Sequence, residues 1–586
     1  MKPAGPYARA RGRRTELRLL ARTSSPPAQS RPSASAPLKE RSLVLAAPER
    51  ILPDLLHARA CLSVDEAAIT HALSFAFVAG SAGGSLRSAL SRTAVAPSSF
   101  TPETLEEGLF IDELLSIAFE FPLGGKPAPL DRALLKRMFT RPPSDLANVL
   151  QRQAILRELA EKPALADALQ SIYVRLAPLP ALLDDEGSDA RLDPTQWRLD
   201  VLRALRDALA SLDDRFAGAS SELQRLAAFG AHVRESAGWK QLEALLDFEG
   251  DSARADLMIR LGADGKIRSL DILTLRERRD SRFHVGPMRR MFARLLAWLQ
   301  GYRIGPMEVV DRWLETVFDG VLEHAPVLLQ LKGDLEFYLA ALRFKSLAEA
   351  RGLPVCLPEL VTAPPRENPK TITAMWNPLL LAGEKKPVPT DLSLPSFAPT
   401  CITTGPNSGG KTRFLQAVSL CQLLGQIGAF VPAQAARLRP VGGMFVSLGE
   451  APHADQKEGR LGMELVRIRR LFERAHIESL VVLDELCSGT NPSEGEEIFR
   501  MLLELLHELT HEVHITTHFL TFASSLQAEA ENLGLSFLQV ELDAAEHPTY
   551  QFVPGVATTS LAHQVAERLG VTREQLRRLV RRDSDG

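Results

Sequence analysis

The chain has 586 residues, 45% of them hydrophobic and 24% charged, and a formal net charge of −3. That length suits about two to four globular domains, and the near-neutral balance excludes a general basic field, so any nucleic-acid contact must come from local patches. The five cysteines (Cys61, Cys356, Cys401, Cys421 and Cys487) are scattered without a C-x-x-C pair, which argues against a disulfide framework or a cysteine zinc site and for a reducing compartment.

Residues 1–50 are rich in Arg, Pro, Ser and Ala, with Arg9, Arg11, Arg13, Arg14, Arg18 and Arg22 making the start basic. This composition reads as a disordered tail that adds weak phosphate affinity, or as a start codon placed too far upstream. No apolar stretch follows the basic start, so it does not read as a secretory leader, and a cytoplasmic protein is expected. Residues 51–105 read as a helical segment. Within it, Ala67 to Leu86 carries no formal charge, but His71, several serines and Gly80, Gly83 and Gly84 suit a buried or surface helix better than a membrane span.

From 106 to 365 a helical core and lever is expected. Apolar residues recur at helical spacing from Phe110 to Leu183, as in Ala147, Val149, Leu150, Ile155, Leu156 and Leu159. Pro142-Pro143-Ser144-Asp145 marks a break followed by a helix start. Helical spacing resumes from Trp197 to Phe248 and again from Met288 to Arg351. Between them, Leu257–Leu261 and Ile267–Ile272 flank Gly262-Ala263-Asp264-Gly265, and Asp-Gly between alternating runs signals a β-hairpin near 255–275. Arg260, Lys266, Arg268, Arg276, Arg278, Arg279 and Arg282 cluster there. The cluster fits a solvated hairpin face or a contact to a nucleic-acid backbone.

Pro354, Pro358, Pro364, Pro365 and Pro369 mark a linker. Residues 371–586 then alternate strand and helix signals, as in a doubly wound α/β domain. Its centre is Gly405-Pro406-Asn407-Ser408-Gly409-Gly410-Lys411-Thr412, a G-x-x-x-x-G-K-[ST] loop between a short apolar strand and a helix. Glycines let backbone N–H groups curl around phosphates, Lys411 reaches the β- and γ-phosphates, and the Thr412 hydroxyl suits Mg²⁺. Leu480–Glu485 is an apolar run ending in two acids. Asp484 is the candidate Mg²⁺ ligand, and Glu485 the candidate general base for an attacking water. A polar turn, Ser488-Gly489-Thr490-Asn491, follows. Val513–His518 reads as a strand ending in His518, a candidate γ-phosphate sensor. One competing motif, His507-Glu508-Leu509-Thr510-His511, matches the H-E-x-x-H of zinc proteases. Leu502, Leu503, Leu505, Leu506 and Leu509 mark its helix as one that packs on a sheet, and solvated histidines at a helix end are expected instead.

These motifs resemble those of the MutS family of DNA mismatch-repair ATPases, a branch of the ABC-type nucleotidases. Thr404-Gly405-Pro406-Asn407 with Gly409-Gly410-Lys411-Thr412 is similar to the family's T-G-P-N-x-x-G-K-[ST]. Gly428–Ala433 resembles its next segment, Leu483-Asp484-Glu485 with Gly489-Thr490 its D-E-x-x-x-G-T, and Thr516-Thr517-His518 its T-H switch. Asn377–Leu380 with Val388–Asp391 resembles the approach to the loop, and Val556–Gly570 the family's C-terminal helical segment. Upstream, Arg152, Gln153, Leu156 and Leu159 resemble the start of the helical core, and Leu331–Arg343 with Asp334 the last lever helix; the hairpin near Gly265 falls where the family inserts its DNA clamp.

The resemblance implies a multidomain fold: a mostly α-helical core and lever with a small β-hairpin clamp, then an α/β P-loop ATPase domain of ABC type. It implies ATP and Mg²⁺ as cofactors, a homodimer closing through the ATPase domains, DNA as partner through Arg268, Arg278 and Arg279, no membrane, and a role in mismatch repair or related recognition of DNA structure. Three departures stand out. Glu458–Glu464 has Leu461 near the place of the family's signature serine, no mismatch-reading domain with its Phe-x-Glu wedge is recognisable, and nothing after His563 looks like an added nuclease domain. These leave a second expectation open, a nucleotide-gated dimeric scaffold with weak hydrolysis and a non-DNA partner.

Overall fold

The computed structural model describes residues 50–582 apart from 185–193, 248–252, 262–266, 278–306, 363, 365–367, 398, 449–459, 475–477, 488–490, 510, 531–533 and 559–570. The basic tail and most of the Val556–Gly570 segment therefore lie outside the described residues.

The helical half contains α1 (Glu66–Ala79), α2 (Arg132–Thr140), α3 (Leu146–Glu161), α4 (Pro163–Leu176), α5 (Pro194–Ala210), α6 (Gln224–Glu235), α7 (Ala237–Asp247), α8 (Met307–Leu322) and α9 (Ala325–Ala350). The uncharged Ala67–Leu86 stretch is helical only to Ala79, with a turn before a second helix that starts at Ser85. α1 buries Ile69, Ala72, Leu73, Ala76 and Phe77, then stops at left-handed Gly80, where glycine carries no Cβ penalty. No helix among the described residues is long and apolar enough to cross a membrane. α3 begins where the Pro142-Pro143 break ends, because the Asp145 carboxylate accepts the Ala147 N–H at 2.9 Å and so satisfies an orphan donor. α9 is buried on nearly every side, from Val327 to Phe344, the pattern of a helix at the centre of a core.

Helical spacing over Phe110–Leu183 breaks first before α2. Phe110 is left-handed (φ 51°), Leu115–Phe119 forms one π-turn, and Pro122–Leu123 pairs with Lys126–Pro127 in a tight hairpin. The longer hairpin joins β1 (Ala253–Leu261) to β2 (Ile267–Glu277) antiparallel, extending the alternating runs at their outer ends.

After the proline-rich segment come β3 (Lys370–Met375), β4 (Thr390–Leu394), β5 (Thr400–Thr404), α10 (Lys411–Ile427), β6 (Ala435–Leu438), β7 (Met444–Ser447), α11 (Arg460–Arg474), β8 (Leu480–Leu483), α12 (Pro492–Glu508), β9 (Glu512–Thr516), α13 (Leu520–Gln527), β10 (Leu535–Leu542), β11 (Pro548–Pro554) and α14 (Arg573–Arg582). The main sheet runs β7-β8-β9-β5-β10-β11. It is parallel up to β10, with β11 antiparallel at the edge. A smaller sheet aligns β4, β3 and β6 with the two-residue strand Glu359–Leu360 from the proline-rich segment.

Side chains alternate across the main sheet. Leu480 and Val482 join the large core shared with the helical half. Val481 and Leu483 join a second core with Ile515, Phe499, Leu503 and Phe522. A parallel sheet covered on both faces is the expected home of such unbroken apolar strands. Because the large core runs from α1 through α9 to α10, residues from Ile51 onward form one compact unit.

One ion pair is built into this core. Lys370 is fully buried and its Nζ lies 2.6 Å from Glu512 Oε1. Gln422 Oε1 accepts from the same ammonium at 3.2 Å, and His514 Nε2 lies 2.8 Å from Glu512. Burial favours the neutral acid, but the Lys370 charge and the His514 hydrogen bond outweigh it and hold Glu512 at about 2. That value lies below the ordinary 4.5, so the pair's contribution is complete above the ordinary value and is lost as pH falls toward 2. Replacing Lys370 by Met strands a buried carboxylate and should cost about 3–5 kcal/mol. Chemical denaturation at neutral pH checks this, and adding Glu512→Gln should recover much of the loss.

Candidate functional site

β5 lies between β9 and β10, so the strand order reverses beside it, and ligands of such sheets bind at the carboxyl ends near that point. Register places the ends together: Leu483 pairs with Ile515 and Thr516 with Thr403. The loop after β5 turns on Gly405 (φ 136°) and Gly410 (φ 83°). A Cβ at Gly405 would also meet Val540 Cγ2 at 2.7 Å. Gly410 is the N-cap of α10 and provides no side-chain cap, which leaves the first N–H groups of the helix aimed at an anion. Pro406 is buried in the loop, and Asn407 and Ser408 are exposed at its tip.

The sequence-named side chains converge here. Lys411 is 3% exposed and donates to the carbonyls of Gly405 and Pro406 at 3.0 and 3.1 Å. Burial lowers its pKa, against the opposing charges of Glu485 and Asp484. Thr412 Oγ1 donates to Asp484 Oδ2 at 2.6 Å, a pair of hard oxygens that fits Mg²⁺. His518 Nε2 lies 2.8 Å from Glu485 Oε1. β9 ends at Thr516, so His518 sits two residues beyond the strand that sequence extends to it. Glu485 itself is left-handed (φ 52°), as is Cys487 (φ 61°). Such strain in non-glycine residues costs on the order of 1–3 kcal/mol each and gathers at functional sites.

Thr516, named in the sequence only within the Thr516-Thr517-His518 switch, has a role of its own here. Its hydroxyl donates to Asp484 Oδ1 and accepts the Glu485 N–H at 2.8 Å, fixing both acids at once. Asn377, noted only as part of the approach, ties that approach to the loop's helix. Its Nδ2 donates to Arg413 O and Gln416 Oε1, both at 3.0 Å. Beside the start of α10 opens a cleft of about 590 Å³, lined in part by Lys385, Lys386, Arg413, Tyr550 and Phe552. Phe552 stacks on Phe414 at 4.1 Å. An apolar cleft with a few cations next to a phosphate loop suits a nucleoside. The alternation of Tyr550 and Phe552 along β11 was the available signal.

The competing zinc motif does not assemble. α12 ends at Glu508. His507 is half-buried, while His511 is 3% exposed and accepts the Ser479 N–H at 3.1 Å. His511 is therefore not the solvated helix-end residue expected; it sits inside, and burial lowers its pKa. Ser488–Thr490, Glu458–Gly459, Arg278 and Arg279 lie outside the described residues, as do the side chains of Arg268 and Leu461.

A parallel sheet, an uncapped helix behind a glycine loop and paired acids just after β8, one strand removed from β5, define a P-loop nucleoside-triphosphatase domain. Residues 401–581 match the family model of MutS domain V. Among curated relatives, an "Endonuclease MutS2" of Pelotomaculum thermopropionicum is 30% identical over 277 residues, 46% of this chain and 33% of that one. One of Thermomicrobium roseum is 34% identical over 211 residues (35% and 26%), and one of Thermus thermophilus 34% over 177 residues (30% and 24%). The matched stretch thus spans a third or less of each relative's length. Residues 401–581 therefore carry a domain similar to the ATPase domain of the MutS family. Lys411→Ala should weaken ATP binding by roughly 10-fold or more, since a charge-assisted hydrogen bond is worth about 1.5–3 kcal/mol; calorimetric titration with a nonhydrolysable ATP analogue checks it.

Proposed function

We propose that this chain is an ATPase that couples nucleotide state to DNA binding, in mismatch repair or a related recognition of DNA structure. The observation that carries it is the hydrogen-bonded chain Thr412–Asp484–Thr516–Glu485–His518 at the mouth of an uncapped helix. In this reading the N–H groups of the 405–412 loop and Lys411 bind the phosphates. Thr412 and Asp484 hold Mg²⁺, which supplies charge neutralisation on the phosphates when bound. Glu485, steadied by His518, orients the attacking water and accepts its proton. The Lys385–Lys386 cleft takes the nucleoside.

The DNA part is supported by the likeness of residues 401–581 to MutS domain V and by the β1–β2 hairpin, whose strands carry Arg254, Arg260, Arg268 and Arg276, with Arg278 and Arg279 following. A homodimer through the ATPase domains belongs to the same reading. Leu465, Val466 and Phe472 on α11, each more than a third exposed, offer an apolar face for it. A second reading is favoured by Leu461 in place of a signature serine: a dimeric switch with weak hydrolysis and a non-DNA partner.

Two measurements separate these. Glu485→Gln should lower the single-turnover ATPase rate about 100-fold or more, within the range ascribed to a positioned base; equal, slow rates in variant and wild type would favour the switch. Replacing Arg268, Arg278 and Arg279 by Ala should weaken binding to homoduplex, mismatched and junction DNA alike. The salt dependence should flatten by about one unit per lost phosphate contact. No salt-dependent DNA affinity in the wild type would sink the DNA reading.

A further inference from the structure

We propose that Asp54, His57 and Cys61 form a binding site for a divalent transition-metal ion of the zinc class, away from the nucleotide site. The three lie in one irregular stretch before α1, and one ligand atom from each falls within 4.8 Å of the other two. His57 Nδ1 is 3.0 Å from Asp54 Oδ2 and 3.2 Å from Oδ1. The Asp54 side chain is fully buried and that of His57 is 13% exposed, while Cys61 is an exposed free thiol. Carboxylate, imidazole and thiolate together suit Zn²⁺ or Co²⁺. Mg²⁺ and Ca²⁺ seek oxygen alone. Three protein ligands with one side open to solvent leave a fourth position for water. Bonds of about 2.0–2.3 Å set tetrahedral ligands roughly 3.3–3.8 Å apart, so closure asks for about 1 Å of movement, within reach of a rotation of the surface Cys61 side chain.

The stretch is built to hold such a constellation. Its carbonyls are satisfied from the side: Arg225 donates to Asp54 O, His57 O and Ala58 O, each at 2.8 Å. Arg152 donates to Leu56 O at 3.2 Å, and Tyr338 to Leu55 O. Its amides are satisfied too, Leu55 by Asp334 and Ala58 by Asn148. Asp54 is oriented by the Leu56 and Cys61 N–H groups at 3.0 and 2.9 Å, the kind of outer support that ligating carboxylates receive. Nδ1 faces both Asp54 oxygens, so an ion held by His57 and Asp54 would replace the hydrogen bond between them. On binding, the Cys61 thiol proton leaves to solvent as the metal–sulfur bond forms, the Nδ1 proton moves to Nε2 through solvent, and no electron changes hands.

The test uses the full chain, stripped with chelator under reductant and titrated with Co²⁺, then Zn²⁺. One equivalent of Co²⁺ per chain should give a near-ultraviolet thiolate-to-cobalt band that Zn²⁺ displaces. The band should vanish in Cys61→Ser and persist in Cys356→Ser. Zn²⁺ affinity, read against a chromogenic chelator, should fall by about 100-fold or more in Cys61→Ser and in His57→Gln, beyond the cost of disturbing an outer residue. Cys61 is exposed, so unchanged circular dichroism is expected for its variant, which decides alone if His57→Gln misfolds. A wild type without the band, a band that survives Cys61→Ser, or cobalt bound only at a site abolished by Asp484→Asn would overturn the proposal.

Discussion

The hydrogen bond from Thr412 to Asp484 spans 72 residues of sequence and sets the geometry of everything around it. It can form only if β5 and β8 end at the same level, and they do so because β9 lies between them in register with both. That register in turn requires the alternating faces of β8 to find apolar cover on both sides, which the two cores provide. The chemistry at the sheet's edge therefore depends on burial throughout the sheet. A one-residue slip of β8 would turn Val481 and Leu483 toward the wrong core and carry Asp484 away from Thr412.

Much of this was legible in the sequence because phosphate chemistry dictates short spacings. Gly405 to Thr412, Asp484 with Glu485, and His518 each announce themselves within a few residues. What stayed hidden depends on distant partners. Thr516 looks like an ordinary strand threonine until Asp484 and the Glu485 N–H are placed against it. The burial of His511 depends on Ser479, 32 residues away, so local patterning read it as solvated. Asp54, His57 and Cys61 fit no standard ligand spacing, and scattered cysteines argued against a cysteine zinc site. In the helical half, apolar periodicity located the helices but not the π-turn at Leu115–Phe119, which changes hydrogen bonding without changing composition.

Buried charge is handled differently at the two faces of α10. Toward the nucleotide site, Lys411 is buried among carbonyls and near two acids, positioned to meet more negative charge. On the side of the smaller sheet, Lys370 is already matched by Glu512 and Gln422. The first arrangement leaves a cation poised for a ligand, while the second closes its own circuit and serves to lock β3 against β9. Similar residues thus do separate work according to whether their partners come from the fold or from solution.

The far end of α10 is held as closely as its start. Arg152, fully within the protein, donates to Ile427 O at 3.0 Å, and a Cβ on the following Gly428 would approach Arg152 Cβ at 2.8 Å and Val149 O at 3.0 Å. α10 is thus a rod of 17 residues, about 25 Å long, with one end open to phosphate and the other clamped to α3 without room for a methyl group. A joint with no slack transmits displacement instead of absorbing it. In mechanical terms, the glycine at position 428 lets the helical half lie directly against the end of the helix that starts at the nucleotide loop, with no gap between them for a side chain.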